Sequence, residues 1–106
     1  MVNEAATEKA RRRADRALVG NYHQAELTKL LEHVRAGFTE YDAGQIDAFE
    51  LDELIHQYKR ATIELWKFCG ATGSRVAAAA RAIEWNTREG SAIDWWEQGA
   101  LGRRVK

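Results

Sequence analysis

The sequence predicts an all-α fold built around an antiparallel helical hairpin, and its composition supports this prediction in two ways. The chain has no proline in 106 residues, whereas proteins average about one in twenty. Proline breaks helices, so its absence favours long uninterrupted ones. Apolar residues make up 45% of the chain and charged residues 30%, which is the balance of a folded protein rather than a disordered one. We therefore expect residues 1–106 to form a single helical domain.

The apolar residues of two successive segments recur at spacings of three and four, which is the heptad pattern of packed helices. Residues 22–41 carry the first stripe, which consists of Leu27, Leu31, Val34, Phe38 and Tyr41. Residues 47–69 carry the second stripe, which consists of Leu51, Ile55, Tyr58, Thr62, Leu65 and Cys69. Four further residues widen the stripes into broad faces, namely Leu30, Leu54, Ala61 and Phe68. Faces of this width are typical of a helical bundle.

A short turn separates the two segments and predicts their relative direction. Gly44 can adopt the left-handed conformation that ends a helix. Asp47 and Glu50 have the spacing of a capping box, in which each side chain accepts a backbone amide of the other residue at a helix start. A connection this short forces the two helices to run antiparallel.

The segment before the hairpin is helical by propensity over residues 4–19. Gly20 and Asn21 leave two alternatives open. Either the helix breaks there, or it continues without interruption to Tyr41. We expect residues 1–10 to fray, because chain ends that are not tied down are poorly ordered.

A third, shorter helix is predicted over residues 74–87. Ser74 is its expected N-cap, and Gly90 is expected to end it. Its inward-facing residues are Val76, Ala80 and Ile83.

A C-terminal helical turn is predicted next. Ser91 and Asp94 have capping-box spacing and would begin a turn through Trp95 and Trp96 that Gly99 stops. Residues 100–106 are expected to form a flexible tail.

Two broad apolar faces need more cover than one hairpin provides. The third helix is rich in alanine and offers few large side chains. We therefore expect two hairpins to complete a bundle, so that the protein is a homodimer or a higher homo-oligomer.

The cellular setting follows from what the sequence lacks. The single cysteine, Cys69, excludes an internal disulfide. Residues 1–10 have no apolar core of the kind that a signal peptide carries, and no apolar run reaches the roughly 20 residues that cross a bilayer. These features predict a cytoplasmic protein that does not interact with membranes.

A metal site is the first chemical possibility. Glu53 and His56 have the Glu-x-x-His spacing of carboxylate-bridged di-iron bundles, and the hairpin places Glu32 opposite them. Two hairpins would supply two such sets, as in ferritin-like bundles. The heptad register, however, puts these side chains on outer faces, whereas bundle ligands project inward. A metal-binding bundle is therefore only an alternative hypothesis.

Nucleic-acid binding is the second possibility. A basic cluster near the start of the chain, which consists of Arg11, Arg12, Arg13 and Arg16, has side chains that can neutralise phosphates. The whole chain nevertheless has 16 basic and 16 acidic residues, without the basic excess typical of nucleic-acid-binding proteins. A nucleic-acid-binding accessory role is therefore a further alternative hypothesis.

The tryptophans are the strongest indication of a binding surface. Trp95 and Trp96 are adjacent and cannot point the same way on a helix. One is expected to pack inward, while the other stays partly exposed, and exposed tryptophan is enriched at interface hot spots. The alternative is that both residues cover the open end of the hairpin core.

No arrangement of residues typical of a nucleophilic active site, a phosphate loop or a cofactor site is present. The leading hypothesis is a non-catalytic helical interaction or scaffolding protein without a cofactor. It would self-associate through the hairpin and present the tryptophan segment or the acidic turn to a protein partner.

Overall fold

Four α-helices account for most of residues 4–70 and 75–104, the parts of the chain that the computed structural model describes. They are α1 (Glu4–Asp42), α2 (Ala48–Cys69), α3 (Arg75–Glu89) and α4 (Trp95–Arg104). No strand occurs in these ranges, so the all-α prediction is confirmed. None of the four helices is both long and apolar enough to cross a bilayer.

The first helix resolves the alternative that the sequence leaves open. α1 runs through Gly20 and Asn21 without a break, over 39 residues. One glycine in a helix interior costs only about 1 kcal/mol relative to alanine, and the adjacent Val19 is buried. The prediction of fraying over residues 1–10 and 100–106 stays a prediction.

The turn between α1 and α2 has the predicted chemistry. Gly44 has a φ of 75°, which is the left-handed conformation that ends a helix. The Asp47 amide donates to Glu50 Oε1 at 3.1 Å, and the Glu50 amide donates to Asp47 Oδ1 at 2.8 Å. The capping box is therefore confirmed.

Contacts divide the chain into two compact units that each contain part of α1 and α2. Unit 1 comprises Met1–Gln24 and Trp66–Ala92, and unit 2 comprises Ala25–Leu65 and Ile93–Lys106.

Unit 1 has a core of small and medium side chains around α3. Its buried apolar residues are Val19, Cys69, Ala79, Ala80 and Ile83. Asp15 is buried, and its Oδ1 accepts a hydrogen bond at 2.5 Å from Nη2 of the exposed Arg81, so this buried carboxylate is paired. Gly90, with a φ of 68°, follows the last residue of α3 as predicted. The expected cap Ser74 lies outside the described residues.

Unit 2 has a core of larger side chains. Its buried apolar residues are Leu30, Leu51, Ala61, Leu65 and Trp95. α1 approaches α2 closely at Gly37, where an added Cβ would lie 2.8 Å from Leu54 Cδ1.

The start and end of α4 differ from the prediction. Asp94 rather than Ser91 is the N-cap, because Asp94 Oδ1 accepts the Glu97 amide at 3.3 Å. The predicted stop at Gly99 is wrong, since α4 continues to Arg104. Gly99 lies inside the helix, and a Cβ there would lie 2.5 Å from the Gln57 carbonyl oxygen. This glycine therefore permits close packing and does not end the helix.

Replacing Gly99 with alanine should destabilise the protein. The new methyl group would displace α4 from α2, and overpacking of this kind costs about 1–3 kcal/mol. Urea denaturation would measure the loss in the free energy of unfolding. An unchanged value would contradict the close approach of the two helices.

Replacing Gly20 with alanine is the matched control and should have the opposite effect. Nothing lies within 4 Å of a Cβ at this position, and alanine is about 0.5–1 kcal/mol better than glycine inside a helix. The same denaturation experiment should therefore show a gain in stability. A loss would indicate that α1 is not continuous at Gly20.

Candidate interaction surfaces

α4 packs on α2 through side chains that hold its backbone. Gln57 Nε2 donates to the Trp96 carbonyl oxygen at 3.0 Å, and Arg60 Nε donates to the Gly99 carbonyl oxygen at 2.8 Å. Both bonds are partly buried, where hydrogen bonds are less weakened by water. The C-terminal segment is thus fixed within unit 2 of its own chain.

The two adjacent tryptophans have different surroundings. Trp95 is buried, with 6% of its surface exposed. Trp96 is half-buried, and its ring stacks on His33 with the centroids 4.2 Å apart and the planes inclined by 2°. Only Trp96 therefore has appreciable surface for a partner, and the interaction role of this pair stays a prediction.

One side of α1 and α2 in unit 2 is apolar and only half covered. We call it the open face, and it consists of Leu27, Leu31, Val34, Phe38, Tyr41, Ile55, Tyr58 and Thr62. The exposed fractions are largest on α1, at 48% for Leu31, 46% for Phe38 and 42% for Tyr41. The α1 part of the open face extends over about 21 Å, at 1.5 Å per residue.

The open face lies away from α4. On α2, Ile55 and Thr62 are each two residues from a residue that bonds to α4, namely Gln57 and Arg60. Two residues correspond to a rotation of about 160° around a helix, so the two sets lie on nearly opposite sides of α2. On α1, the most buried large side chain is Leu30, with 2% exposed, and Leu31 of the open face is the next residue.

A second surface lies beside the start of α2. It is an open groove of about 420 Å³, and we call it the acidic groove. Its lining includes Asp47, Phe49, Glu50, Glu53, Leu54 and Trp96. Phe49 is 85% exposed, which is unusual for a large aromatic residue in a protein of this size.

The predicted metal ligands are not brought together. Glu32 Oε1 lies 3.0 Å from Arg35 Nη1, and His56 Nδ1 lies 2.8 Å from the Asp52 carbonyl oxygen. A carbonyl oxygen only accepts, so Nδ1 donates this bond, which orients the ring along its own helix. Across the described ranges, no group of three His, Cys, Asp or Glu side chains has an arrangement that could hold a metal ion.

The basic cluster near the start of α1 is exposed at all four arginines. At 100° per residue, Arg11, Arg12 and Arg13 spread over about half of the helix circumference. A single stripe facing a phosphate backbone would require them on one side. The nearby Asp15 is buried and bonded to Arg81, so this helix also packs inward.

Unit 1 exposes two other tryptophans. Trp66 is half exposed and makes an edge contact with His23, with the ring centroids 4.3 Å apart. Trp85 lies on the outer side of α3, where the Arg88 guanidinium is 5.7 Å from its ring centroid. Tryptophan at the surface is thus found on α2 and α3 as well as at Trp96.

No protein-family model, no curated protein and no solved structure matches this chain.

The exposure of Phe49 was not predicted from the sequence. A signal was present, because Phe49 is two residues from the buried Leu51 and hence about 160° away from it on the helix. The exposure of Trp85 was predictable in the same way, because Trp85 is two residues from the buried Ile83 on α3.

The stability of the protein should fall in mild acid because of His23. Its Nε2 atom is buried and has no hydrogen-bond partner among the described residues, and burial lowers the pKa of His23 below its ordinary value of 6.5. As the pH falls below about 6.5, the unfolded chain therefore takes up a proton before the folded chain does, which favours unfolding.

Thermal unfolding between about pH 7.5 and about pH 5.5 would measure this effect. His23→Phe keeps an aromatic contact with Trp66 and removes the titrating group, so its unfolding temperature should depend less on pH. Identical pH dependence in both proteins would exclude His23 as the cause.

Proposed function

We propose that this chain is a non-catalytic helical interaction protein that self-associates through an antiparallel hairpin of α1 and α2. The observation that carries the proposal is the open face. Three large apolar residues, Leu31, Phe38 and Tyr41, are between 42% and 48% exposed along one side of α1. Contiguous apolar surface of this kind marks an interaction site in a protein that stays in solution.

The hairpin is supported by the turn and by the contact at Gly37. Five residues connect α1 to α2, a length typical of antiparallel neighbours in helical bundles. The capping box at Asp47 and Glu50 begins α2 directly after this turn. Gly37 then lets the two helices approach at Leu54.

A second copy of the chain is the occupant that the chemistry of the open face favours. The eight residues of the open face are uncharged and Arg35 lies at its edge, although residues 25–65 carry nine Asp or Glu and four Lys or Arg. A surface of one charge sign repels its own copy, whereas a neutral apolar surface does not. Two hairpins that meet through this face would form a four-helix bundle with two-fold symmetry.

Replacing Phe38 with glutamate should convert the dimer to a monomer. Each change occurs twice in a two-fold interface, and an unpaired carboxylate at its centre costs several kcal/mol. We expect the dissociation constant to rise by at least about a hundredfold. Analytical ultracentrifugation over a range of concentrations would measure it.

Ile63→Glu is the matched control, because Ile63 is an apolar residue about as exposed as Phe38 but is not part of the open face. This variant should remain dimeric. A wild-type protein that sediments as a monomer at every concentration would refute self-association, and equal weakening by both variants would place the interface elsewhere.

A further inference from the structure

We infer that the acidic groove binds an arginine-rich segment of a partner protein. This inference rests on the proposed role as an interaction protein and adds the chemistry of the partner. It does not rest on self-association, because Glu53 of the groove is two residues from Ile55 of the open face and hence about 160° from it around α2.

The charge around the groove favours a basic occupant. Between Arg35 and Lys59 the chain has six acidic residues and no lysine or arginine. Three of the six, Asp47, Glu50 and Glu53, line the groove. Carboxylates concentrated in this way attract a basic segment and repel an acidic one.

The aromatic residues of the groove favour arginine over lysine. Phe49 is 85% exposed and Trp96 is half-buried, and both line the groove beside the carboxylates. A guanidinium stacks on an aromatic ring and also forms paired hydrogen bonds with a carboxylate. Lysine has a compact, strongly hydrated ammonium group that is less suited to this combination.

The groove has a wall that is already fixed before a partner arrives. Trp96 is held through its stack with His33 and through the bond from Gln57 to its carbonyl oxygen. Asp47 and Glu50 are held by the reciprocal bonds of the capping box. Since these side chains are ordered in the free protein, binding requires little further loss of conformational freedom.

The separation of the two surfaces leaves the groove accessible in a dimer. Gln57 of α2, which also lines the groove and bonds to α4, is two residues from Ile55 of the open face and hence about 160° from it around α2. A second copy on the open face would therefore leave the groove exposed.

Fluorescence anisotropy with a labelled peptide of alternating arginine and glycine would test the inference on the full chain. We expect saturable binding that weakens by about threefold or more in Phe49→Ala and in Glu53→Gln, the loss typical of one exposed cation–π or charge contact. The matching lysine peptide should bind about threefold more weakly. Circular dichroism would confirm that both variants fold, which the exposure of Phe49 and Glu53 favours.

Two matched variants distinguish binding in the groove from non-specific attraction of the peptide to an acidic protein. Ile63→Ala removes an exposed apolar side chain, and Glu40→Gln removes one exposed negative charge, but neither residue lines the groove. Both should bind the arginine peptide as the wild type does. Equal weakening in all four variants, or no binding at all, would overturn the inference.

Two further measurements identify the occupant of the groove and test whether binding there depends on dimerisation. A peptide of residues 9–16 tests whether the groove binds the basic cluster of a second copy of this chain. If it bound while the arginine–glycine peptide did not, the occupant would be another copy and the inference would be wrong. Phe38→Glu should keep the binding of the arginine–glycine peptide. If Phe38→Glu still binds this peptide, the groove does not require a dimer. Loss of binding in this variant would overturn the inference.

Discussion

The close approach of α4 to α2 at Gly99 is the constraint on which the rest of unit 2 depends. A side chain at this position would meet the Gln57 carbonyl oxygen, so only glycine lets the two backbones come together. The approach brings the Gly99 carbonyl within reach of Arg60 and the Trp96 carbonyl within reach of Gln57. Trp95 then fills the core, and Trp96 lies on His33.

The position of α4 also decides which surfaces of unit 2 remain uncovered. α4 packs on the side of α2 that carries Gln57 and Arg60, and its ten residues extend over only about 15 Å. The other side keeps its half-exposed apolar residues, and the start of α2 keeps Phe49 at the surface. One short helix thus leaves two different surfaces, one apolar and one acidic with aromatic residues.

The sequence predicts the helix ends that depend on local chemistry. Gly44, Gly90 and the capping box of Asp47 and Glu50 were all predictable, because left-handed glycine and capping carboxylates act within a few residues. The start of α4 was not, since Ser91 with Asp94 and Asp94 with Glu97 have the same spacing. Only packing against α2 distinguishes the two alternatives.

Tertiary packing also explains the other differences from the sequence analysis. A glycine near the end of a short helix is usually a stop signal, and the role of Gly99 as a contact residue depends on Gln57, which is distant in the sequence. The heptad stripe of α1 includes Leu31, Phe38 and Tyr41, which are exposed, whereas Leu30 is a fully buried large side chain. The spacing identifies the apolar side of α1. It does not predict which part of that side the other helices cover.

The buried thiol gives unit 1 an internal reporter of its own opening. Cys69 is the only cysteine of the chain and is 2% exposed, so a thiol reagent has almost no access to it in the folded state. Modification then proceeds through transient opening, and when closing is fast its rate is set by the fraction of molecules that are open. The kinetics of thiol labelling in native buffer thus measure the local free energy of opening around α3, without an added probe and without denaturant.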